Sequence, residues 1–320
     1  MQIIDELNKY GIGKMTINLL KKKLGIKYVR ELSLYNAEEL ETYTGISVDR
    51  AEKILRISRE LSHRTKISLA TEKTEKKEVF TTGIESLDIL LGGGIWTREL
   101  TEFAGEFGSG KTQLCHQLAV TVQPPLGKGG LSGSCLYIDT EGTFSQSRIK
   151  AIASRFKIEK PLKNIYYTRP ITVGDLEDIV VKNLSEFLRE KNVKLVIIDS
   201  IIALYRSQFK GVEYLARRQQ RINYVLDWLK RYSIIYNIAI VYTNQVLTQP
   251  VPFGVALKIP AGGNIIAHAA THRFFLKKRK NFILIECIDS PRISRGATAQ
   301  FIIKKDGCFD FKDYPPPPVT

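Results

Sequence analysis

The chain has 320 residues, enough for one sizeable core and a small extra domain. Its composition is globular, and no apolar run is long enough to span a membrane, so no membrane partner is expected. Lys and Arg number 48 against 33 Asp and Glu. The resulting charge of +15 points to a polyanionic partner, nucleic acid before membrane, because no basic amphipathic helix with a broad apolar face stands out.

Residues 1–61 read as a small all-α unit. Its start, MQIIDELNKYG, is too acidic and polar for a secretory signal. Two tight turns, YGIGKMT (Tyr10 to Thr16) and YTGISVD (Tyr43 to Asp49), each lead into a helical run, INLLKKKLG and RAEKILRISREL. Gly-Ile-Gly between helices resembles a helix-hairpin-helix motif. In such a motif the turn N–H groups meet a phosphate, and Lys14 and Lys21 to Lys23 would add charge. A helical bundle with no DNA role is the other reading of the same residues. Residues 62–78 are polar and charge-rich, as in a linker, with a short apolar island from Ile67 to Ala70.

From Val79 to about residue 312 strands and helices alternate, which implies an α/β core with a largely parallel sheet and helices on both faces. LTEFAG (Leu100 to Gly105) reads as a strand, and TQLCHQLAVTV (Thr112 to Val122) has helical spacing. Between them GEFGSGKT (Gly105 to Thr112) has the phosphate-loop spacing GxxxxGK(S/T). Gly108 and Gly110 allow close backbone approach to an anion. Lys111 would reach the outer phosphates, and the Thr112 hydroxyl would ligate Mg²⁺.

SCLYID (Ser134 to Asp139) is a second strand, and Glu141 follows it, where a carboxylate could polarise an attacking water. DLEDIVVKNLSEFLRE (Asp175 to Glu190) reads as one helix. KLVIIDS (Lys194 to Ser200) is a buried-strand run that delivers Asp199 as the metal-side acid; a helix-capping role is the bland alternative. EYLARRQQRINYVLDWLKRY (Glu213 to Tyr232) is helical, and IAIVYTNQ ends in the amides of Asn244 and Gln245. Beyond Gly263, THRFFLKK, FILIECIDS and TAQFIIKKDG read as consecutive edge strands, while the tail 313–320, with YPPPPVT, can join neither helix nor sheet. The four cysteines lack metal-ligand spacing, so buried free thiols in a reducing, cytoplasmic setting are expected.

Taken as an ordered set, TTGIESLDILLGGGI, TEFAGEFGSGKTQLCHQLAV, YIDTEGTF, VIIDS, LARRQQ, YNIAIVYTNQV and GGNIIAHAAT resemble the RecA/RadA recombinases, most closely their archaeal branch, over nearly the whole chain. The resemblance implies a RecA-like ATPase core with a helix-hairpin-helix domain before it. It also implies an ATP- and Mg²⁺-dependent filament on single-stranded DNA that pairs it with homologous duplex DNA in recombination and repair, near the nucleoid. Gly105, Glu106, Phe107, Gly108, Ser109, Gly110, Lys111, Thr112 and Gln113 would hold the nucleotide, with Thr112 and Asp199 at the metal. Glu141 would be the catalytic glutamate, and Arg148 would pack on adenine. Gln245 and His268 would couple the γ-phosphate to DNA loops, His268 across a subunit interface. Asp289 in DSP would cap a neighbour's nucleotide. The DNA loops would lie near 206–218 and 248–263, with Arg206, Lys210, Arg217, Arg218, Lys258, Gly262 and Gly263; a solvated helix face is the bland reading of these arginines. Ile67 and Ala70 would stand at the polymerisation motif.

Several positions depart from the family pattern. The first loop has Gly211-Val212-Glu213 where Gly-Arg-Gly is usual, and Ile67 stands in place of phenylalanine. The smaller side chain costs roughly 1–2 kcal/mol in an unchanged aromatic pocket. Ser294 and Ser145 replace a proline and an arginine. These departures raise an alternative, a recombinase paralogue or mediator that binds ATP and DNA and tunes another filament. A small-molecule kinase on the same core is a third class, which the basic excess and the His268 region disfavour.

Overall fold

The computed structural model describes residues 2–62, 67, 69, 76–249 and 257–313. Ala70, the tail beyond Asp313 and the tip of the second expected DNA loop lie outside the described residues. The chain forms two units, Met1–Lys76 with Asp178–Glu190, and Lys77–Glu177 with Lys191–Thr320.

In the first unit, a 3-10 turn (Ile4–Tyr10) precedes α1 (Lys14–Leu24), and a second (Val29–Leu34) precedes α2 (Ala37–Thr44) and α3 (Val48–Leu61). Ile4, Leu7, Ile17, Leu20, Leu32, Leu40 and Ile54 form its interior. The two hairpins repeat one backbone. Gly11 and Gly45 are left-handed at φ 80° and 78°, a buried Ile12 or Ile46 follows, and an extended Gly13 or Ser47 starts the next helix.

The second unit begins with β1 (Val79–Phe80), α4 (Glu85–Leu91), β2 (Ile95–Trp96), β3 (Leu100–Gly105), α5 (Lys111–Thr121), β4 (Ser134–Asp139), α6 (Gln146–Arg155) and β5 (Ile165–Thr168). The expected helix over Asp175–Glu190 is divided: α7 (Val173–Asp178) lies almost wholly in this unit, whereas a π-helical turn (Ile179–Asn183) and α8 (Leu184–Glu190) belong to the first. The wide turn falls on the β-branched run Ile179-Val180-Val181, whose branches crowd a preceding helical turn, and both valines are buried. Then come β6 (Val193–Asp199), α9 (Ala203–Gln208), α10 (Leu215–Tyr236), β7 (Ala239–Asn244), β8 (Val246–Gln249), β9 (Leu257–Pro260), α11 (Gly263–Ala269), β10 (His272–Lys278), β11 (Ile283–Asp289), β12 (Thr298–Lys304) and β13 (Gly307–Asp310).

Among the described residues nine strands form one sheet in the order β13-β12-β11-β10-β3-β7-β6-β4-β5. From β10 to β5 neighbours run parallel, and β11, β12 and β13 add antiparallel strands at one edge. β3 and β7 are buried throughout, as strands covered on both faces must be. The parallel register brings the C-terminal ends of β3, β4, β6 and β7 to one sheet end: Asp139 pairs with Asp199, and Ala104 with Asn244. Ligands of open α/β sheets bind at such an end.

Candidate nucleotide site and adjoining loops

The phosphate loop joins the end of β3 to the start of α5. Gly108 and Gly110 are at φ +72° and +92°, a region L side chains rarely adopt. A Cβ at Gly110 would also lie 2.6 Å from Ile283 Cδ1. Ser109 Oγ is buried and, among the described residues, has no hydrogen-bond partner. Lys111 Nζ donates to the carbonyls of Gly105 and Glu106, each at 2.8 Å. Burial pulls the Lys111 pKa down, while the charges of Asp199 and Glu141 oppose that shift. Phe107 is fully exposed, and exposed Glu106 is paired with Lys258 of β9 at 2.6 Å.

Asp199 is almost completely buried. Hydroxyls of Tyr137 (2.9 Å) and Thr243 donate to its two oxygens, and Thr112 bonds to it as well. Burial pushes its pKa up, against those donors. Thr112 and Asp199 thus meet at the foot of the loop. So few protein oxygens suit Mg²⁺, which keeps most of its shell for water and phosphate.

Glu141 sits on the turn after β4. Asp139, buried at that strand's end, holds the turn by accepting the N–H groups of Gly142 (2.7 Å), Thr143 (3.1 Å) and Phe144 (3.0 Å). Glu141 Oε1 accepts from Ser200 Oγ at 2.7 Å and from Gln245 Nε2 at 3.0 Å. Among the described residues Oε2 accepts none. Gln245 Oε1 in turn accepts from Arg206 at 2.7 Å. A hydrogen-bonded series Ser200–Glu141–Gln245–Arg206 therefore runs from the end of β6 to α9.

The other predicted residues are distributed as follows. Arg148 on α6 donates to Gln113 Oε1 at 2.5 Å and to the Lys305 carbonyl. Lys210 and Arg217 are exposed, with the Arg217 guanidinium over the Phe209 ring at 5.6 Å, and Arg218 is half-buried in the first turn of α10. Gly262 and Gly263 open α11 in left-handed conformations, and His268 is exposed on that helix. Ile67 is 96% exposed. Asp289 ends β11 opposite Arg273, which pairs with Glu102, whereas the phosphate-loop Gly105 pairs with Leu276. Because β11 runs against β10, Asp289 faces the sheet end away from this chain's own phosphate loop.

Asp139, Ser200 and His116 were not among the sequence candidates. An Asp at a strand end before Thr-Glu-Gly is a turn-holding signal; a histidine inside a helix carries no such mark. His116 lies one turn after Thr112, stacked on Tyr137 (5.6 Å between centroids) and near Phe144 (5.6 Å). Its Nε2 accepts the Ser145 N–H at 3.1 Å, so the ring ties α5 to the Glu141 turn. Burial first, and then Arg148, hold its pKa down to about 4, from 6.5. The unfolded chain takes up this proton near pH 6.5 and the folded chain only near 4. The contribution to stability is thus complete above pH 6.5 and lost as pH falls from there towards 4. Thermal melts across this window should show the wild type losing roughly 3 kcal/mol more than a His116→Gln variant. Parallel pH profiles would remove His116 from this role.

The fold and the glycine bend define a class, a RecA-like phosphate-loop core. The Rad51 family model matches residues 74–311. The DNA repair and recombination protein RadA of Metallosphaera sedula is 38% identical over 310 residues, covering 95% of this chain and 94% of that protein. The chain belongs to the Rad51 family. Among the described residues no helix is long and apolar enough to cross a membrane.

Proposed function

We propose that this protein is a DNA-dependent ATPase and recombinase that assembles on single-stranded DNA and exchanges it with a homologous duplex. The observation that carries this reading is the Ser200–Glu141–Gln245–Arg206 series. It joins Glu141, on the turn after β4 at the sheet end that holds the phosphate loop, to an arginine on α9, at the start of the first expected DNA loop. A DNA phosphate that drew Arg206 away would leave the Gln245 carbonyl without its donor and shift the amide that holds Glu141.

In this mechanism Lys111, the loop N–H groups and Ser109 bind the triphosphate of ATP, and Thr112 and Asp199 hold Mg²⁺. Bound there, the metal supplies stabilisation of charge on the phosphate oxygens. Ser200 and Gln245 occupy one oxygen of Glu141, which leaves Oε2 to orient a water and accept its proton. Arg148 and Gln113, bonded together, would flank the base. The cations Arg206, Lys210, Arg217 and Lys258 would meet DNA phosphates, which makes binding salt-dependent.

Asp289 faces away from its own phosphate loop, so a contact between Asp289 and a nucleotide requires a second copy. That is a head-to-tail interface, which closes into rings or continues as a filament. The exposed Ile67 would help to join protomers, with Ala70 in the same motif. Ile67→Glu should convert assemblies to monomers on a sizing column, and an unaltered elution profile removes Ile67 from the interface.

Val212 is 85% exposed at the tip of the first loop, where the resemblance calls for an arginine, and this favours a second reading as an accessory paralogue. One assay separates the two. The purified protein, with ATP and Mg²⁺ alone, is given single-stranded circles and homologous linear duplex. Joint molecules and exchanged product are expected. DNA binding without exchange, together with stimulation of another recombinase, would establish the paralogue.

A further inference from the structure

Glu99, at the foot of β3, is buried to 2% exposure, yet it collects four donors from three separate segments. Lys77 Nζ and Arg292 reach Oε1, both at 2.7 Å. Arg292 reaches Oε2 at 2.7 Å and His272 Nε2 does so at 2.8 Å. The Arg292 fork is bidentate, the geometry that fixes orientation as well as charge. Its guanidinium also lies 4.9 Å from the centre of the Trp96 ring. Burial works against the Glu99 charge, but hydrogen bonds from His272, Arg292 and Lys77 outweigh it and hold the carboxyl well below the usual range.

The segment carrying Arg292 is the loop that leaves Asp289. Ser290 Oγ accepts the N–H groups of Arg292 (3.2 Å) and Ile293 (3.1 Å). The same hydroxyl meets His272 Nδ1 at 2.8 Å. A carboxylate only accepts, so His272 carries its proton on Nε2 towards Glu99, and Nδ1 accepts from Ser290 when the ring is neutral. Every polar link of the 290–292 turn therefore leads directly, or through His272, to one buried carboxylate. Lys77, where the linker after Ile67 enters the unit, is attached to the same group.

We propose that Glu99 and Arg292 are positioning residues which set the Asp289 loop for contact with the nucleotide of a neighbouring protomer. This rests on the head-to-tail reading above. The pair touches no phosphate. It holds the loop at the sheet end remote from its own site, so its effect is felt in the site of the next copy.

The test is complementation by mixing. Arg292→Ala leaves Glu99 paired with Lys77 and His272, so the fold should persist. Alone, its DNA-stimulated ATPase should fall about tenfold or more, as expected for a displaced contact group. Lys111→Ala should be inactive but keeps an intact Asp289 loop. In an equimolar mixture each Arg292→Ala phosphate loop meets an intact neighbour about half the time, so activity per competent loop should rise to about half of wild type in a head-to-tail array. Asp289→Ala, mixed in the same way, is the control. Unchanged activity of Arg292→Ala overturns the proposal. If Asp289→Ala is rescued and Arg292→Ala is not, Arg292 acts within its own protomer and the proposal fails while the head-to-tail reading stands. If neither is rescued, that reading fails and takes the proposal with it. Arg292→Lys keeps the charge and loses the fork. It should show a smaller loss that mixing also repairs, and a Lys variant that melts like wild type yet gains nothing from mixing is equally fatal.

Discussion

Lys111→Ala is expected to reduce ATP turnover at least about a hundredfold, the scale on which removing one preorganised donor to a reacting phosphate acts. Among the described residues the ammonium donates only to two carbonyls of its own loop, Gly105 and Glu106, at 2.8 Å. Neither is an ionic partner, and burial already disfavours the charge. A triphosphate arriving at the loop therefore gains a desolvated cation without first breaking a salt bridge. The fold should be little affected, because alanine is the best helix former and position 111 is the first residue of α5. Phosphate release at saturating single-stranded DNA, with a thermal melt as control, gives the answer. Undiminished release from a folded variant would refute the assignment of GEFGSGKT to the nucleotide.

The phosphate loop, the strand ends and the alternation of elements were legible because each rests on local chemistry: the glycine spacing, the β-branched run before Asp199 and the period of α10. What the sequence hid depends on register between distant strands. That Asp139 holds the Glu141 turn follows from the strand-end position, but that Ser200 and Gln245 share one oxygen of Glu141 follows only from β4, β6 and β7 ending together. The pairing of Lys258 with Glu106, 152 positions apart by number (258 − 106), carries no sequence signal. Nor does the pairing of Glu99 with Arg292, for the two meet because β11 returns along β10 beside β3. The split of the helix over Asp175–Glu190 escaped for another reason. Its apolar period is compatible with an α-helix, and the wide turn arises from crowding among consecutive β-branched residues, which a period does not encode.

Glu141→Gln should leave nucleotide binding almost intact and lower kcat by about 10²–10⁴-fold, the range of a general base. The two side chains have nearly the same shape, so the turn held by Asp139 is undisturbed. The amide keeps one acceptor for the Ser200 hydroxyl and the Gln245 amide but loses the basic oxygen on which proton removal from water depends. Because the substitution leaves Arg206 and its bond to Gln245 in place for a DNA phosphate to draw on, the variant should still bind single-stranded DNA in a nucleotide-dependent way. In the proposed cycle hydrolysis would release DNA, so this variant should accumulate on DNA with ATP bound. Slow dissociation from fluorescent single-stranded DNA in ATP, against faster dissociation of the wild type, is the expected contrast. A variant that hydrolyses ATP at the wild-type rate would move the water-activating role away from Glu141. One that loses DNA binding together with hydrolysis would show that the series from Ser200 to Arg206 needs the negative charge at its centre, and not merely its hydrogen bonds.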